Sequence, residues 1–202
     1  MRVIGITGGI GAGKSKVSDI LVSLGLDVIN ADEIGHQVYL PFTSGWDEVV
    51  RGFGREVLTE DGEINRSELR SKVFNDPKAL ARLNQITHPR IRELLCQSIS
   101  DWRNLGKRII AFEAALLIEA EWNELADEIW VVTAPKSVII ERITNRSPGL
   151  DNNIIQSMIE SQMPQSEREK FANIVIDNSG TINELKKIVQ MNYNHTLGNL
   201  FR

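Results

Sequence analysis

The sequence lacks the features that mark secreted, membrane-spanning and zinc-binding proteins. One of its 202 residues is a cysteine, Cys96, so no disulfide can form within the chain. No apolar run approaches the roughly 20 residues that a membrane-spanning helix needs, and no secretory signal precedes the first predicted strand. The three histidines (His36, His88 and His195) are far apart, and no Cys and His residues cluster at zinc spacing. We therefore expect a soluble cytoplasmic protein.

An excess of positive charge is also absent. With 23 Lys and Arg residues against 27 Asp and Glu residues, the formal net charge is −4. This balance argues against general binding to nucleic acid or to an anionic membrane. The hydrophobic share of 42% is sufficient for one substantial core with a small inserted subdomain. We expect small-molecule partners, and the sequence does not indicate an oligomeric state.

A glycine-rich segment near the start of the chain is the most informative motif. Residues 8–15, GGIGAGKS, match the phosphate-loop pattern G-x-x-x-x-G-K-[ST] without a mismatch, between an apolar run at residues 3–6 and a helical pattern. The glycines let successive N–H groups turn towards an anion, and the positive end of the helix points the same way. Lys14 is expected on the β- and γ-phosphates of a nucleotide, and Ser15 on Mg²⁺. The alternative is a glycine-rich turn with an incidental lysine.

Acidic residues follow two of the predicted strands. Asp32 comes after a strand at residues 26–29, and Glu113 ends a strand at residues 108–112. The carboxyl ends of parallel strands form the ligand crevice of an α/β sheet. Asp32 is therefore predicted to accept or orient the proton of a substrate hydroxyl, or alternatively to cap a helix at residues 33–39. Glu113 is predicted to bind Mg²⁺ or substrate, or alternatively to cap a helix.

Residues 41–105 show helical patterns and no convincing strand. They include predicted helices at residues 66–74 and 77–87, followed by a predicted break at His88-Pro89 and a longer helix. A helical stretch of this length between the second and third strands indicates an insertion. We expect it to form one wall of a cleft that faces the phosphate loop.

Two arginines and a turn are predicted to surround the nucleotide. Arg142 and Arg146 are four residues apart on a predicted helix, so both point from one face. The loop at residues 147–151 that follows resembles a lid, from which arginines neutralise charge on a transferring phosphoryl group; the alternative is a solvated surface. The turn after the last strand, which begins with Asp177 and Asn178, either frames the adenine base or is an ordinary turn.

Five strands with crossover helices and a phosphate loop after the first predict an α/β fold with a doubly wound parallel sheet. We expect one P-loop kinase domain with a core (residues 1–40, 106–140 and 172–202), a helical acceptor-binding subdomain (41–105) and a lid (141–171). These three parts suit a small-molecule kinase. The alternatives are a P-loop ATPase that acts as a switch or assembly factor, and a nucleoside or nucleotide kinase with another acceptor. The guanine-reading tetrapeptide Asn-Lys-x-Asp of GTPases does not occur.

Motifs spread over most of the chain resemble those of the dephospho-coenzyme A kinase family. They are GITGGIGAGKS at residues 5–15, VINAD at 28–32, LNQITHPRI at 83–91, QMP at 162–164 and VIDNSG at 175–180. The resemblance implies transfer of the γ-phosphoryl group of ATP to the ribose 3′-hydroxyl of dephospho-CoA, with Mg²⁺. The sequence departs from the usual family pattern at Lys16, Asn30, Glu113 and Met158.

The resemblance implies roles for individual residues. Asp32 is the predicted base or orienting group, while Lys14, Arg142 and Arg146 stabilise the transferring phosphoryl and Ser15 binds Mg²⁺. Predicted contacts with the acceptor are Thr7, Asp32, His36, His88 and Glu113, although His36 is alternatively a solvated helix residue. Predicted contacts with the nucleotide are Gly9, Ile10, Gly11, Ala12, Gly13, Lys14, Ser15, Lys16, Asp177 and Asn178.

Overall fold

Strands and helices alternate along the chain in the computed structural model, which describes residues 1–74 and 76–198. The strands in these ranges are β1 (Arg2–Thr7), β2 (Asp27–Asn30), β3 (Ile109–Glu113), β4 (Glu128–Thr133) and β5 (Ile174–Asp177). The α-helices there are α1 (Lys14–Ser23), α2 (Ala31–Gln37), α3 (Ser44–Phe53), α4 (Arg66–Phe74), α5 (Pro77–Asn104), α6 (Lys136–Arg146), α7 (Asn152–Glu160), α8 (Gln165–Glu169) and α9 (Ile182–Gly198). None of these helices combines the length and the apolar character that crossing a bilayer requires. Residues 199–202, which the sequence analysis assigns to the core, lie outside the described residues.

The sheet confirms the predicted parallel, doubly wound arrangement. Its five strands, counted over the described ranges, run in the order β2-β3-β1-β4-β5, and every neighbouring pair is parallel. The chain passes over β3 to reach β2 and later returns to the other side of β1 with β4. The loop after β1 therefore lies at the switch point of the sheet, where open α/β sheets bind ligands.

The strand register brings the functional loops to one edge of the sheet. Glu113 at the end of β3 pairs with Ile6 of β1 and with Asn30 of β2. On the other side of β1, Thr133 of β4 pairs with Asp177 of β5. The carboxyl ends of all the paired strands thus lie beside the start of the phosphate loop.

The described chain divides into two compact units. The first contains Met1–Asn30 and the chain from Asp101 onward, and the second contains Ala31–Ser100. In the first unit, the strands of the sheet and the helices α1 and α9 share one apolar core. Its fully or nearly fully buried members include Ile4, Ile6, Val17, Leu21, Trp130, Ile176 and Val189. Burial of each such side chain contributes about 1.5–3 kcal/mol, which holds α1 against the sheet.

The second unit has an apolar core of its own. Thr43 caps the start of helix α3, where its hydroxyl accepts a hydrogen bond from the Trp46 N–H at 3.1 Å, and Gly54 caps the end. The buried side chains of this unit are Val49, Phe53, Val57, Ile64, Leu69, Val73 and Ile86. The helix predicted at residues 66–74 is confirmed as α4.

The predicted break at His88-Pro89 is wrong. Helix α5 continues through Pro89, although a proline inside a helix removes one hydrogen bond and costs about 3 kcal/mol. Burial of Ile86 and Ile91 on the two sides of the proline outweighs this cost, because both are 8% exposed. The Arg90 guanidinium also donates to the Ile86 carbonyl at 2.6 Å.

One further helix boundary differs from the sequence analysis. Helix α2 begins at Ala31, which places Asp32 in its first turn, so Asp32 is not the residue that caps a helix starting at residue 33. Helix α9 reaches Gly198, so its last turns form a polar tail at residues 192–198. The buried Thr196 hydroxyl in this tail donates to Glu128 Oε1 at 2.9 Å, a contact between residues 68 positions apart.

Candidate active site

The phosphate loop joins β1 to α1 within the first unit. Gly13 precedes α1 with φ of 98°, a left-handed conformation that glycine adopts without strain. Helix α1 has neither a side-chain cap nor an acidic residue in its first turn. Its first N–H groups and the positive end of its dipole are thereby directed at whatever occupies the loop, which favours an anion.

Cationic side chains surround this loop. A cleft of about 230 Å³ is lined by Gly11, Gly13, Lys14, Ser15, Lys16, Arg142, Ile143 and Arg146. Four of these side chains carry positive charge, whereas the whole chain has a net charge of −4. The cleft therefore concentrates positive charge where the sequence analysis expects phosphates.

Arg142 of α6 reaches across to the phosphate loop. Its Nη2 donates to the Asn178 carbonyl at 2.8 Å, and its Nη1 lies 3.5 Å from Gly11 O and 3.4 Å from Ala12 O. Arg146, one turn later on the same face of α6, lines the cleft and is exposed. Both predicted arginines lie at the loop. Within residues 1–74 and 76–198, only Arg142 is held there by hydrogen bonds to backbone carbonyls.

Asn178 holds the loop from the other side. Its Nδ2 donates to Ala12 O at 2.8 Å, and its own N–H donates to Thr133 O at 2.8 Å. The side chain is buried, so it shapes the loop, a role that the sequence analysis did not identify. Neighbouring Asp177 is exposed, and its Oδ1 accepts from the Ser179 N–H at 2.9 Å. Whether these two residues touch adenine stays a prediction.

Glu113 is placed against the start of α1. Its Oε1 accepts from the Ser15 hydroxyl at 2.9 Å and its Oε2 from the Ser18 hydroxyl at 2.7 Å. The alternative in which Glu113 caps a helix is wrong, because turns rather than a helix follow it and both oxygens face α1. Glu113 is 4% exposed. Ser18 did not stand out in the sequence, where it reads as an ordinary helix residue.

The remaining predicted residues of the first unit differ in their surroundings. Lys14 Nζ donates to Gly8 O at 3.0 Å, so its ammonium curls back over the loop. Lys16 Nζ lies 3.3 Å from Asp19 Oδ2 and its side chain is 66% exposed. Thr7 at the end of β1 is fully buried, and its hydroxyl has no hydrogen-bond partner within the described part of the chain.

The second unit (Ala31–Ser100), called the helical unit below, contains the predicted acceptor residues Asp32, His36 and His88. Asp32 is exposed, two residues after the end of β2. His36 lines a cleft of about 320 Å³ with Tyr39 and Arg66. Burial raises the pKa of Tyr39, and the nearby Arg66 charge opposes this shift. His88 is half-buried on α5, and burial lowers the pKa of its imidazole.

Over residues 1–74 and 76–198, no group of three or more His, Cys, Asp and Glu side chains is arranged as a metal site. Ser15 and Glu113 nevertheless place a hydroxyl and a carboxylate oxygen together beside the phosphate loop. These are the oxygen ligands that Mg²⁺ prefers, so the chemistry of this donor pair fits the ion.

Comparison with known proteins connects this site to a family. A family model described as dephospho-CoA kinase matches residues 2–184. The dephospho-CoA kinase of Dehalococcoides mccartyi is 43% identical over 191 residues, which are 95% of this chain and 96% of that protein. The dephospho-CoA kinase of Geobacter sulfurreducens is 40% identical, with 94% and 96% of the two chains covered.

The fold is shared with solved structures as well. The dephospho-CoA kinase from Campylobacter jejuni superposes with a TM-score of 0.74 at 25% identity, covering 98% of this chain and 100% of that chain. The predicted P-loop kinase fold is thereby confirmed.

Proposed function

The chain belongs to the dephospho-CoA kinase family, and we propose that it moves the γ-phosphoryl group of ATP to the ribose 3′-hydroxyl of dephospho-CoA. Membership of the family makes it a kinase that phosphorylates dephospho-CoA in coenzyme A biosynthesis. The choice of ATP, the use of Mg²⁺ and the roles of single residues are the proposal. The observation that carries it is the phosphate loop with its cationic cleft, inside a chain that matches the family model over residues 2–184.

The nucleotide phosphates are proposed to occupy the cleft beside α1. The N–H groups at the start of α1 and the Lys14 ammonium would bind the β- and γ-phosphates. Arg142 and Arg146 would face the same phosphates from α6, where they neutralise the charge that develops during transfer. The contacts of Arg142 with Gly11 O and Ala12 O support this role, since they hold its guanidinium at the loop without using an acidic partner.

Ser15 and Glu113 are the residues that would hold Mg²⁺. The ion, when bound, would neutralise phosphate charge in the manner typical of P-loop enzymes. Glu113 takes part through the carboxylate oxygen that accepts from Ser15. The Ser18 hydroxyl donates to the other oxygen of Glu113, which holds the carboxylate in one orientation.

Asp32 is proposed to accept the proton of the attacking 3′-hydroxyl. The support is its position in the chain, directly after a strand whose carboxyl end lies at the crevice edge, together with its exposure. The helical unit is proposed to bind the acceptor, with His36, His88 and the cleft around Tyr39 and Arg66 as the contact regions. Thr7 is proposed as a further acceptor contact, and Asp177 and Asn178 as contacts of the adenine.

We further propose that the reaction takes place in the cytoplasm without nucleic-acid or membrane partners. The net charge of −4 supports this, because it disfavours general binding to polyanions.

The test is an ADP-release assay with ATP and Mg²⁺ in which dephospho-CoA, adenosine, AMP and no acceptor are compared side by side. We expect fast release with dephospho-CoA alone. Steady release without any acceptor would instead indicate an ATPase that acts as a switch or assembly factor. Equal release with adenosine or AMP would indicate a nucleoside or nucleotide kinase with a broader acceptor range.

A further inference from the structure

The phosphate loop borders a second cleft besides the cationic one. This cleft, of about 200 Å³, is lined by the loop residues Gly9, Ile10 and Ala12. Its lining also includes Lys136 at the start of α6, Gln162 and Met163 between α7 and α8, and Arg168 of α8. All of these residues belong to the first unit.

Arg168 is a buried cation with unused hydrogen-bonding capacity. The residue is 2% exposed, and its Nη2 lies 3.2 Å from Glu119 Oε1. Its Nε is buried and has no hydrogen-bond partner within the ranges that the structure describes. A guanidinium has five N–H donors, and burying them without acceptors is costly. Beside its contact with Glu119, Arg168 therefore keeps the Nε donor available for a second anion.

The guanidinium is directed at the phosphate loop. A Cβ added to Gly9 would lie in van der Waals contact with Arg168 Nη1, at 3.5 Å, so this nitrogen comes close to the loop backbone. Gln162 Oε1 accepts from the Ile10 N–H at 2.7 Å and fixes the segment that carries Arg168 to the same part of the loop. Lys136, which is exposed, adds a second positive charge to this cleft.

The position of Lys14 indicates which substrate this cleft serves. Its Nζ lies 3.0 Å from Gly8 O, so the ammonium that meets the γ-phosphate is next to Gly9. In phosphoryl transfer the attacking and leaving oxygens are roughly in line, so the acceptor approaches from beyond the γ-phosphate. Gly9 also lines the second cleft, so a group bound in this cleft would lie beside the γ-phosphate.

We propose that this cleft binds a phosphate group of the acceptor, with Arg168 as its buried cation and Lys136 as its exposed one. The inference rests on the proposed function, because dephospho-CoA carries a diphosphate on the ribose that bears the reacting 3′-hydroxyl. Binding of that diphosphate would fix the ribose relative to the γ-phosphate, an orientation effect on the rate. Arg168 would then determine the preference for phosphorylated acceptors over adenosine.

The test compares the affinities of adenosine and adenosine 5′-monophosphate by calorimetry, with the nucleotide site saturated by a non-hydrolysable ATP analogue and Mg²⁺. The variants are Arg168→Met, Arg168→Lys, Lys136→Gln and, as a matched control on an exposed cation outside the cleft, Lys170→Gln. In the wild type we expect the phosphate to improve binding. That preference should fall about 10- to 100-fold in Arg168→Met, since a charge-assisted hydrogen bond is lost. Lys136→Gln should reduce it less, Arg168→Lys should restore part of it, and Lys170→Gln should leave it unchanged.

Several outcomes would overturn the inference. One is a wild-type enzyme that binds both ligands equally, and another is a folded Arg168→Met that keeps the wild-type preference. A loss of affinity for the ATP analogue in Arg168→Met would assign the cleft to the nucleotide instead. If thermal melting shows that Arg168→Met does not fold, Lys136→Gln becomes the deciding variant. An unchanged preference of Lys136→Gln for adenosine 5′-monophosphate over adenosine would then overturn the inference. Turnover of dephospho-CoA by the wild type is measured in parallel, and its absence would contradict the proposed function itself.

Discussion

The side chain of Asn178 lies so close to Gly13 that a Cβ at position 13 would collide with its Nδ2. The same Nδ2 donates to Ala12 O, and the Asn178 carbonyl accepts from Arg142. Asn178, which directly follows β5, thus connects the phosphate loop with Arg142 of α6. The shape of the loop depends on this contact as well as on its own glycines.

Gly13→Ala should abolish tight ATP binding. The substitution combines a left-handed backbone at φ of 98° with the collision against Asn178, so the loop must shift. Gly25→Ala is the matched control, because Gly25 has φ of 88° and nothing lies within 4 Å of its added Cβ. The control should lose about 1–2 kcal/mol of unfolding free energy from backbone strain alone and keep its ATP affinity. Equal ATP affinities in the two variants would contradict this explanation.

Glu113→Gln should raise the Mg²⁺ concentration needed for half-maximal ATP binding by roughly tenfold, because a neutral amide replaces the carboxylate beside Ser15. Titration of Mg²⁺ at fixed ATP, followed by calorimetry, measures the shift. Ser18→Ala should have a smaller effect, since it removes the hydrogen bond that orients the carboxylate but leaves its charge. If Glu113→Gln binds ATP with wild-type Mg²⁺ dependence, Glu113 has no part in holding the ion.

Arg142→Ala and Arg146→Ala should each slow phosphoryl transfer by roughly 10²–10³-fold, the typical cost of removing one preorganised charge-stabilising donor. The two variants should differ in stability, because Arg142 contacts the loop backbone and Asn178, whereas Arg146 is exposed. Single-turnover rates and urea unfolding of the same preparations separate the two effects. Wild-type rates in both variants would indicate that the two arginines belong to a solvated surface and take no part in phosphoryl transfer.

Asp32→Asn should lower turnover by roughly 10²–10⁴-fold, because a positioned proton acceptor contributes about that much. Its affinity for ATP, measured by equilibrium titration, should stay near that of the wild type. Glu33→Gln at the adjacent position, which is also exposed, serves as a control for the change in surface charge. Normal turnover of Asp32→Asn would remove Asp32 from the mechanism.

His88 should make stability fall in mildly acidic solution. Burial lowers the pKa of its imidazole, so the unfolded chain takes up a proton near the ordinary value of 6.5 while the folded chain does not until lower pH. Above that value both states are neutral and His88 contributes no pH dependence. Relative to His88→Gln, the wild type should therefore lose unfolding free energy as the pH falls below 6.5. Urea unfolding at several pH values would show the shift, and parallel curves would contradict it.

Local signals allowed the sheet, the phosphate loop and most helices to be predicted. The loop pattern, the apolar strands and the caps each involve residues close together in sequence. The break predicted at Pro89 failed because burial of Ile86 and Ile91 outweighs the helix-breaking tendency of proline.

Contacts between distant residues could not be predicted in the same way. Asn178 and Ala12 are 166 positions apart, and the sequence around Asn178 is compatible with an ordinary turn. Arg168 stands among Glu167, Glu169 and Lys170, which is typical of a solvated helix, yet it is almost fully buried. Such roles depend on packing between elements, which one sequence does not reveal.

The most direct test of the proposed function is identification of the product formed from ATP and dephospho-CoA. Phosphorus NMR of the completed reaction should show one new phosphomonoester on the ribose 3′-oxygen for each ADP released. The Asp32→Asn enzyme should form the same product far more slowly. ADP formed together with free phosphate, or a phosphate on another hydroxyl, would contradict the proposed transfer.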